Sequence, residues 1–166
     1  GSIKIESEQD QGSQFTVILP LEQAVPPEDQ KEDRQAEETD MAGKKVLLVE
    51  DNELNQEIAC YMLAEKGLEI TVAANGKEAV ELFEKAPAYT FAMIFMDVMM
   101  PVMNGYEATK AIRALDRPDA AQIPVIAMTA NAFAEDVKEA LDAGMNEHMA
   151  KPLEPEVINR VLARWI

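Results

Sequence analysis

Four short apolar runs in this sequence each end in a different reactive residue. Lys45-Val46-Leu47-Leu48-Val49 leads into Glu50-Asp51, and Phe91-Ala92-Met93-Ile94-Phe95-Met96 into Asp97. Ile123-Pro124-Val125-Ile126-Ala127-Met128 leads into Thr129, and Glu147-His148-Met149-Ala150 into Lys151-Pro152. Brought together, these ends supply three carboxylates, a hydroxyl and an ammonium. Crowded acids raise one another's pKa unless a cation lies among them. A hard-oxygen cluster with few carboxylates suits Mg²⁺, which keeps several of its waters. With the metal in place a carboxylate can attack phosphorus, and the transferred phosphoryl group then needs its equatorial oxygens neutralised. Mg²⁺ would serve one oxygen, Lys151 a second and Thr129 a third.

The elements that must position these groups follow from the pattern between them. Helical spacing is expected over Asn52 to Lys66, stopped by Gly67, and over Lys77 to Lys85, Gly105 to Leu115, Ala132 to Ala143 and Glu154 to Ile166. Ile70 to Ala73 adds a short strand with polar neighbours, which belongs at a sheet edge. Five strands alternating with five helices predict an α/β fold, a five-stranded parallel sheet with helices on both faces. The nearly all-apolar runs before Asp97 and Thr129 belong in its centre. In such open sheets the carboxyl ends of the strands line one edge, where ligands bind. Taken singly, Glu50-Asp51-Asn52 could be a helix N-cap, Thr129 a strand end and Lys151 a solvated lysine. Their joint occurrence at four strand ends is what marks a site. Cys60 reads as a small buried hydrophobe, and the methionines from Met93 to Met103 as core and loop packing.

Composition narrows the classes. The chain has 166 residues, 48% of them hydrophobic, and a net charge of −16 from 31 acidic and 15 basic residues. That balance argues against nucleic acid as a direct partner. No apolar stretch approaches the roughly 20 residues of a membrane helix, so no direct membrane contact is expected. A single cysteine fits a reducing, cytoplasmic setting. One histidine and one cysteine are poor material for zinc, and make a serine triad improbable. Three segments are distinguishable. Residues 1–24 alternate apolar and polar positions about Asp10-Gln11-Gly12-Ser13, as a β-hairpin does. Residues 25–43 open with Pro26-Pro27 and are strongly acidic, a solvated linker. Residues 44–166 carry the strand and helix alternation.

The motifs Val-Leu-Leu-Val-Glu50-Asp51-Asn52, Asp97-Val98-Met99-Met100-Pro101-Val102-Met103-Asn104-Gly105, Ile126-Ala127-Met128-Thr129-Ala130 and Met149-Ala150-Lys151-Pro152 together resemble the receiver domain of two-component signalling. The resemblance implies a (βα)5 fold of flavodoxin-like, CheY-like strand order. It implies that Asp97 is the phosphoacceptor, and that Asp51, Asp97 and the Met99 backbone carbonyl bind Mg²⁺ (or Mn²⁺) with help from Glu50 through water. Lys151 would contact the phosphoryl group, Thr129 would move toward it, and the Lys151-Pro152 bond would be cis. Receivers usually carry a tyrosine or phenylalanine switch residue where this chain has His148; the smaller imidazole implies weaker or pH-sensitive coupling to Thr129.

Residues 1–24 are similar to the terminal hairpin of histidine-kinase ATP-binding domains, without that domain's nucleotide motifs. Kinase remnant, acidic linker and receiver make the layout of a hybrid sensor histidine kinase, whose parent chain could be membrane-anchored. The implied partners are the kinase dimerisation and phosphoacceptor domain and a histidine phosphotransfer protein, docking near Asn104, Ala130 and Pro152. The fragment would catalyse its own phosphorylation and hydrolysis but lack kinase activity. Two alternatives remain at this stage. A haloacid-dehalogenase-like phosphatase would want a second acid at position 99, which is methionine. A non-phosphorylated pseudo-receiver would have lost acids or the lysine, and none is missing.

Overall fold

Strand β3 (Lys45–Val49), strand β4 (Glu69–Ala73), strand β5 (Phe91–Asp97), strand β6 (Val125–Thr129) and strand β7 (Glu147–Ala150) form one parallel sheet in the order β4-β3-β5-β6-β7. A separate antiparallel pair, β1 (Ser2–Glu8) and β2 (Gly12–Ile18), precedes it. The computed structural model describes residues 2–8, 12–18, 41–130 and 134–166. Most of the acidic segment 25–43, the hairpin's Asp10-Gln11 and residues 19–24, and Ala132 at the expected start of the fourth helix lie outside the described residues. The chain divides into two units, Gly1–Gln35 and Ala36–Ile166. In the first, Ile3 and Val17 face each other across the pair and both are exposed.

In the second unit, helices α1 (Glu53–Ala64), α2 (Gly76–Lys85), α3 (Gly105–Ala114), α4 (Ala134–Asp142) and α5 (Pro155–Trp165) follow the strands in alternation. Alternate strand residues point to opposite faces, and both faces are covered. Leu47, Val49, Ile94, Met96, Val125 and Ala127 pack toward α2, α3 and the Ala140–Met145 region. Val46, Leu48, Met93, Phe95, Ile126, Met128 and Met149 pack toward α1 and α5. Strands β5 and β6 are central and nearly all apolar, while the half-exposed β4 is an edge, as expected. The run from Ile123 to Met128 enters its strand later than its hydrophobicity suggests, at Val125. Pro124 has no N–H to give the ladder, and its carbonyl instead accepts from the Ile94 amide at 2.8 Å.

Three helices that follow strands begin with asparagine caps. Asn52, Asn75 and Asn104 accept from the amides of Asn55, Glu78 and Glu107 respectively. Satisfying an otherwise orphaned amide in this way is typically worth about 1 kcal/mol. Glycine is required where α3 meets β5, because a Cβ on Gly105 would collide with the Asp97 carbonyl.

The opposite, amino-terminal end of the sheet is held by two arginines. Arg113 donates to the Gly144 carbonyl at 3.0 Å, the Ala120 carbonyl at 2.7 Å and Asn146 Oδ1 at 2.8 Å. Asn146 Oδ1 in turn accepts from the Val125 amide at 2.9 Å, which pins the start of β6. Arg117 lies over the Phe83 ring at 4.1 Å and donates to the carbonyls of Phe83, Ala86 and Pro87 at the end of α2. Asp119 orients Arg117 at 2.6 Å and accepts from the amide of Tyr89, whose φ of 63° is otherwise unfavourable.

The Arg117 guanidinium holds the Asp119 carboxyl at about 2, below the usual carboxylate range. Because that pKa is depressed, the stabilisation is present above the ordinary carboxylate pKa and is lost as pH falls from about 4 toward 2. Asp119→Asn should therefore cost about 1–3 kcal/mol at neutral pH, with the gap to wild type closing over that acidic range. Urea unfolding at a series of pH values measures it; a gap that does not change with pH would remove the ion pair as the cause.

Candidate functional site

Strand order reverses between β3 and β5, since the chain leaves β3 for β4 on one side and returns to β5 on the other. Connections depart to opposite faces there, which opens a crevice at the carboxyl ends. Glu50 and Asp51 follow β3, and Asp97 closes β5, so the acids sit at this crevice. One oxygen from each of the three carboxylates lies within 4.8 Å of the others. Glu50 and Asp97 are 2% and 4% exposed, whereas Asp51 is open to solvent.

Lys151 reaches the same point from the loop after β7. Its Nζ donates to Glu50 Oε2 at 2.6 Å and to Asp97 Oδ2 at 2.7 Å. The Met99 amide donates to Asp97 Oδ1 at 3.1 Å. The Lys151-Pro152 bond is cis, as expected. Glu50, Asp97 and Lys151 continue the alternation of residues facing α1 and α5. Thr129 continues the other row, with Ala127, toward α2 and α3. It ends β6, is 8% exposed, and its carbonyl accepts from the Lys151 amide at 2.8 Å. In register, Thr129 pairs with Ala150 and Ala127 with half-buried His148. Thr129 and His148 therefore share one face of the sheet, two residues apart along it. The sequence-derived residues thus fall into a joined quartet of Glu50, Asp51, Asp97 and Lys151, with Thr129 and His148 on the adjoining strands.

The acids and Lys151 shape each other's protonation. Burial pushes the Asp97 carboxyl above its usual value; Lys151 and the Met99 amide oppose the rise, and the charge of Glu50 adds to it. Burial also works against the Lys151 ammonium, but the hydrogen bonds it donates to Asp97 and Glu50 outweigh it and hold the group above the usual lysine range. The donor set fits a small hard cation: three carboxylates, two buried and one open toward water. A nucleophilic carboxylate flanked by a metal site and an ammonium is equipped for phosphoryl transfer.

Further parts of the site come from α1 and the loops. Asn55 Nδ2 donates to Glu50 Oε1 at 2.9 Å, and Gln56 Nε2 to the Glu50 carbonyl at 2.7 Å. Their only trace in the sequence is a pair of amides three and four residues beyond the Asn52 cap, where a first-turn side chain can fold back toward the strand end. Val102 adopts φ 70° between Asp97 and α3, with the Met103 amide bonded to the Pro101 carbonyl at 2.8 Å. That three-residue turn is a strained form, uncommon for a β-branched residue. A cleft of about 450 Å³ runs from Glu50 and Lys151 to Ile58, Met62, Pro152 and Leu153. Leu54, Ile58 and Tyr61, spaced as one helix face, are 64%, 45% and 67% exposed beside it.

The family described as response regulator receiver domain matches residues 46–163. Hybrid signal transduction histidine kinase I of Dictyostelium discoideum is 36% identical over 132 residues, covering 76% of this chain and 8% of that protein. Probable histidine kinase 2 of Oryza sativa subsp. indica is 37% identical over 129 residues, covering 71% of this chain and 12% of its own length. The chain thus spans only a small part of these curated relatives. Among solved structures, the receiver domain of sensor histidine kinase PA1611 from Pseudomonas aeruginosa PAO1 has a magnesium ion coordinated in its active site cleft. It is 41% identical, with a TM-score of 0.67, covering 75% of this chain and 98% of that one. The receiver domain of the response regulator Ssk1 of Saccharomyces cerevisiae was solved with the histidine phosphotransfer signaling protein Ypd1. It is 31% identical, with a TM-score of 0.68, covering 75% of this chain and 90% of that one.

Removing Lys151 leaves two buried acids facing each other without compensation. Lys151→Ala should lose about 3–5 kcal/mol at neutral pH in the absence of divalent cations. A carboxyl whose folded-state pKa is raised destabilises the fold when ionised, and that cost is relieved as pH drops through the raised value. The deficit should therefore shrink on acidification, as chemical denaturation in chelator at a series of pH values below neutrality would reveal. A constant deficit would mean that lost packing, not the Asp97 charge, is responsible.

Proposed function

From the premise that this chain belongs to the response regulator receiver domains of two-component signalling, we propose that Asp97 accepts a phosphoryl group from a phosphohistidine and that Glu50, Asp51 and Asp97 gather Mg²⁺ for the transfer. The observation that carries this reading is the convergence of the three carboxylates with Lys151, all within one small crevice at the strand ends. An Asp97 oxygen forms the new bond to phosphorus as the bond from phosphorus to the donor imidazole breaks. Mg²⁺, when bound, neutralises charge on the phosphoryl oxygens; Mn²⁺ is similar enough in ligand preference to substitute. The Met99 carbonyl would complete the protein's share of the ligands, and Glu50 would help through a metal-bound water. Lys151 moves its charge from Asp97 to the transferred group. Thr129 supplies its hydroxyl, and His148, on the same sheet face, is the switch residue that answers it.

The partner is a helical protein or domain carrying the phosphohistidine: the kinase dimerisation and phosphoacceptor domain as donor, and a histidine phosphotransfer protein as recipient. The yeast relative held with such a protein supports the second. The exposed Leu54, Ile58 and Tyr61 stripe beside the crevice offers apolar area for that contact, of the kind that marks protein interfaces. The parent protein is read as a hybrid sensor histidine kinase, with residues 1–24 the end of its ATP-binding domain, 25–43 a linker and 44–166 the receiver. The exposed Ile3 and Val17 are consistent with a hairpin that continues a larger sheet. Among the described residues no helix is long and apolar enough to cross a membrane. A dehalogenase-like phosphatase is disfavoured because position 99 is an exposed methionine rather than an acid.

Radiolabelled phosphate on a histidine phosphotransfer protein should pass to the wild-type chain in the presence of Mg²⁺ and never to Asp97→Asn. Label appearing on Asp97→Asn would overturn the assignment of the acceptor. Leu54→Asp should slow labelling from the protein donor about tenfold more than labelling from a small phosphodonor, since one buried charge in an interface costs at least about 1.4 kcal/mol. With beryllofluoride and Mg²⁺, His148→Tyr should enlarge the spectral shifts at residues of β7 relative to wild type. Identical shifts in the two proteins would rule out His148 as the weak point of the switch.

A further inference from the structure

Glu50 is held by one charged donor and several neutral ones. Its Oε2 takes the Lys151 ammonium at 2.6 Å. Its Oε1 takes Asn55 Nδ2 at 2.9 Å and, more weakly, the Asn52 amide at 3.4 Å. Its backbone carbonyl takes Gln56 Nε2 at 2.7 Å. The carboxylate is 2% exposed, so these donors fix its rotation rather than compete with bulk water. Lys151 spans Glu50 and Asp97, so the position of Oε2 helps set where the ammonium stands relative to Asp97.

We infer that Asn55 is a positioning residue for the acceptor site: by holding Glu50 Oε1 it directs Oε2 to Lys151 and fixes which lone pairs of Glu50 face the cation. This rests on the reading of the three carboxylates as a Mg²⁺ site. The residue type suits the task. A carboxylate at position 55 would add a fourth negative charge and could not donate. A lysine or arginine would neutralise Glu50 and compete with both Lys151 and the metal. A neutral amide orients the carboxylate and leaves the net charge of the cluster unchanged. Position 55 is also the third residue of α1, one turn past the Asn52 cap, where a side chain can reach back over the helix end. Helix propensity does not call for asparagine there, since leucine or alanine would favour the helix more. Outer-shell partners of this kind commonly change metal affinity by tenfold or more when removed.

The test is a double-mutant cycle read by Mg²⁺ titration calorimetry on the full chain, with no phosphotransfer in the readout. Asn55→Leu, similar in size and a better helix former, should weaken Mg²⁺ binding about tenfold. In a Glu50→Ala background the same change should have an effect of less than about twofold, because the oxygen that Asn55 holds is gone. Asn55→Gln, which keeps the amide, should restore part of the affinity. The nitrogen shift of the Lys151 ammonium should move in Asn55→Leu without any metal present. Asn55→Ala serves as a second variant, and thermal melts verify that each variant is folded. Unchanged affinity in both Asn55→Leu and Asn55→Ala, or an equal loss with and without the Glu50 carboxylate, would overturn the inference while leaving the metal site standing. A wild-type chain that fails to bind Mg²⁺ would instead overturn the metal-site reading on which it rests.

Discussion

A single ammonium reconciles two buried acids that belong to different strands. Lys151 comes from the far edge of the sheet, Asp97 from its centre and Glu50 from beyond the topological reversal, and the contacts at 2.6 and 2.7 Å close that span. Without a cation the arrangement is unfavourable, because desolvation and mutual repulsion both oppose ionised carboxylates in low dielectric. The lysine makes the crevice tolerable in the unphosphorylated protein, while leaving Asp97 with a raised pKa and Asp51 facing water. A metal ion and a phosphoryl group would each find charges already assembled, which removes much of the reorganisation that transfer otherwise requires.

Much of this was legible in the residues themselves. The all-apolar runs before Asp97 and Thr129 could only be central strands, and the polar-flanked Ile70–Ala73 run only an edge. Parallel order follows from the helical spacing between strands, and with it the gathering of all strand ends on one side. The meeting of Glu50, Asp51, Asp97 and Lys151 followed from their places at strand ends, and the cis bond at Pro152 came with the resemblance to receivers. Less legible were contacts whose partners are remote and whose residue types are common. Arg117 and Asp119 look like ordinary surface charges two positions apart, yet they are 11% and 4% exposed and cap a helix more than thirty residues earlier. Only the folded chain shows that guanidinium over Phe83. Asn55 was hidden for the same reason: its hydrogen bond runs backward across the cap, and asparagine near a helix start already has a simpler explanation.

The boundary between the Asp97 strand and α3 shows how local chemistry supports the site. Gly105 lets the helix start press directly on the Asp97 backbone, and Asn104 with Glu107 closes a reciprocal cap there. The intervening Val102 is held in a left-handed conformation that its branched side chain disfavours. The cap after the strained turn, and the Gly105 amide on the Val98 carbonyl at 3.0 Å, keep the loop's geometry determined, which a site built on one carboxylate oxygen requires. The apolar Met99 and Val102 are 77% and 80% exposed on that loop, so the rim of the acidic crevice is partly hydrophobic. A basic ligand alone would not select such a surface; a protein that buries apolar area while presenting a charged group would.

The two arginines give β6 an asymmetric mounting. Its first residue is pinned through Asn146 to Arg113, while its last is Thr129 at the reactive edge. Between those ends the strand is laddered to β5 on one side and to β7 on the other. A displacement at Thr129 would therefore meet β7 first, through the ladder that sets Ala150 beside Thr129 and His148 beside Ala127.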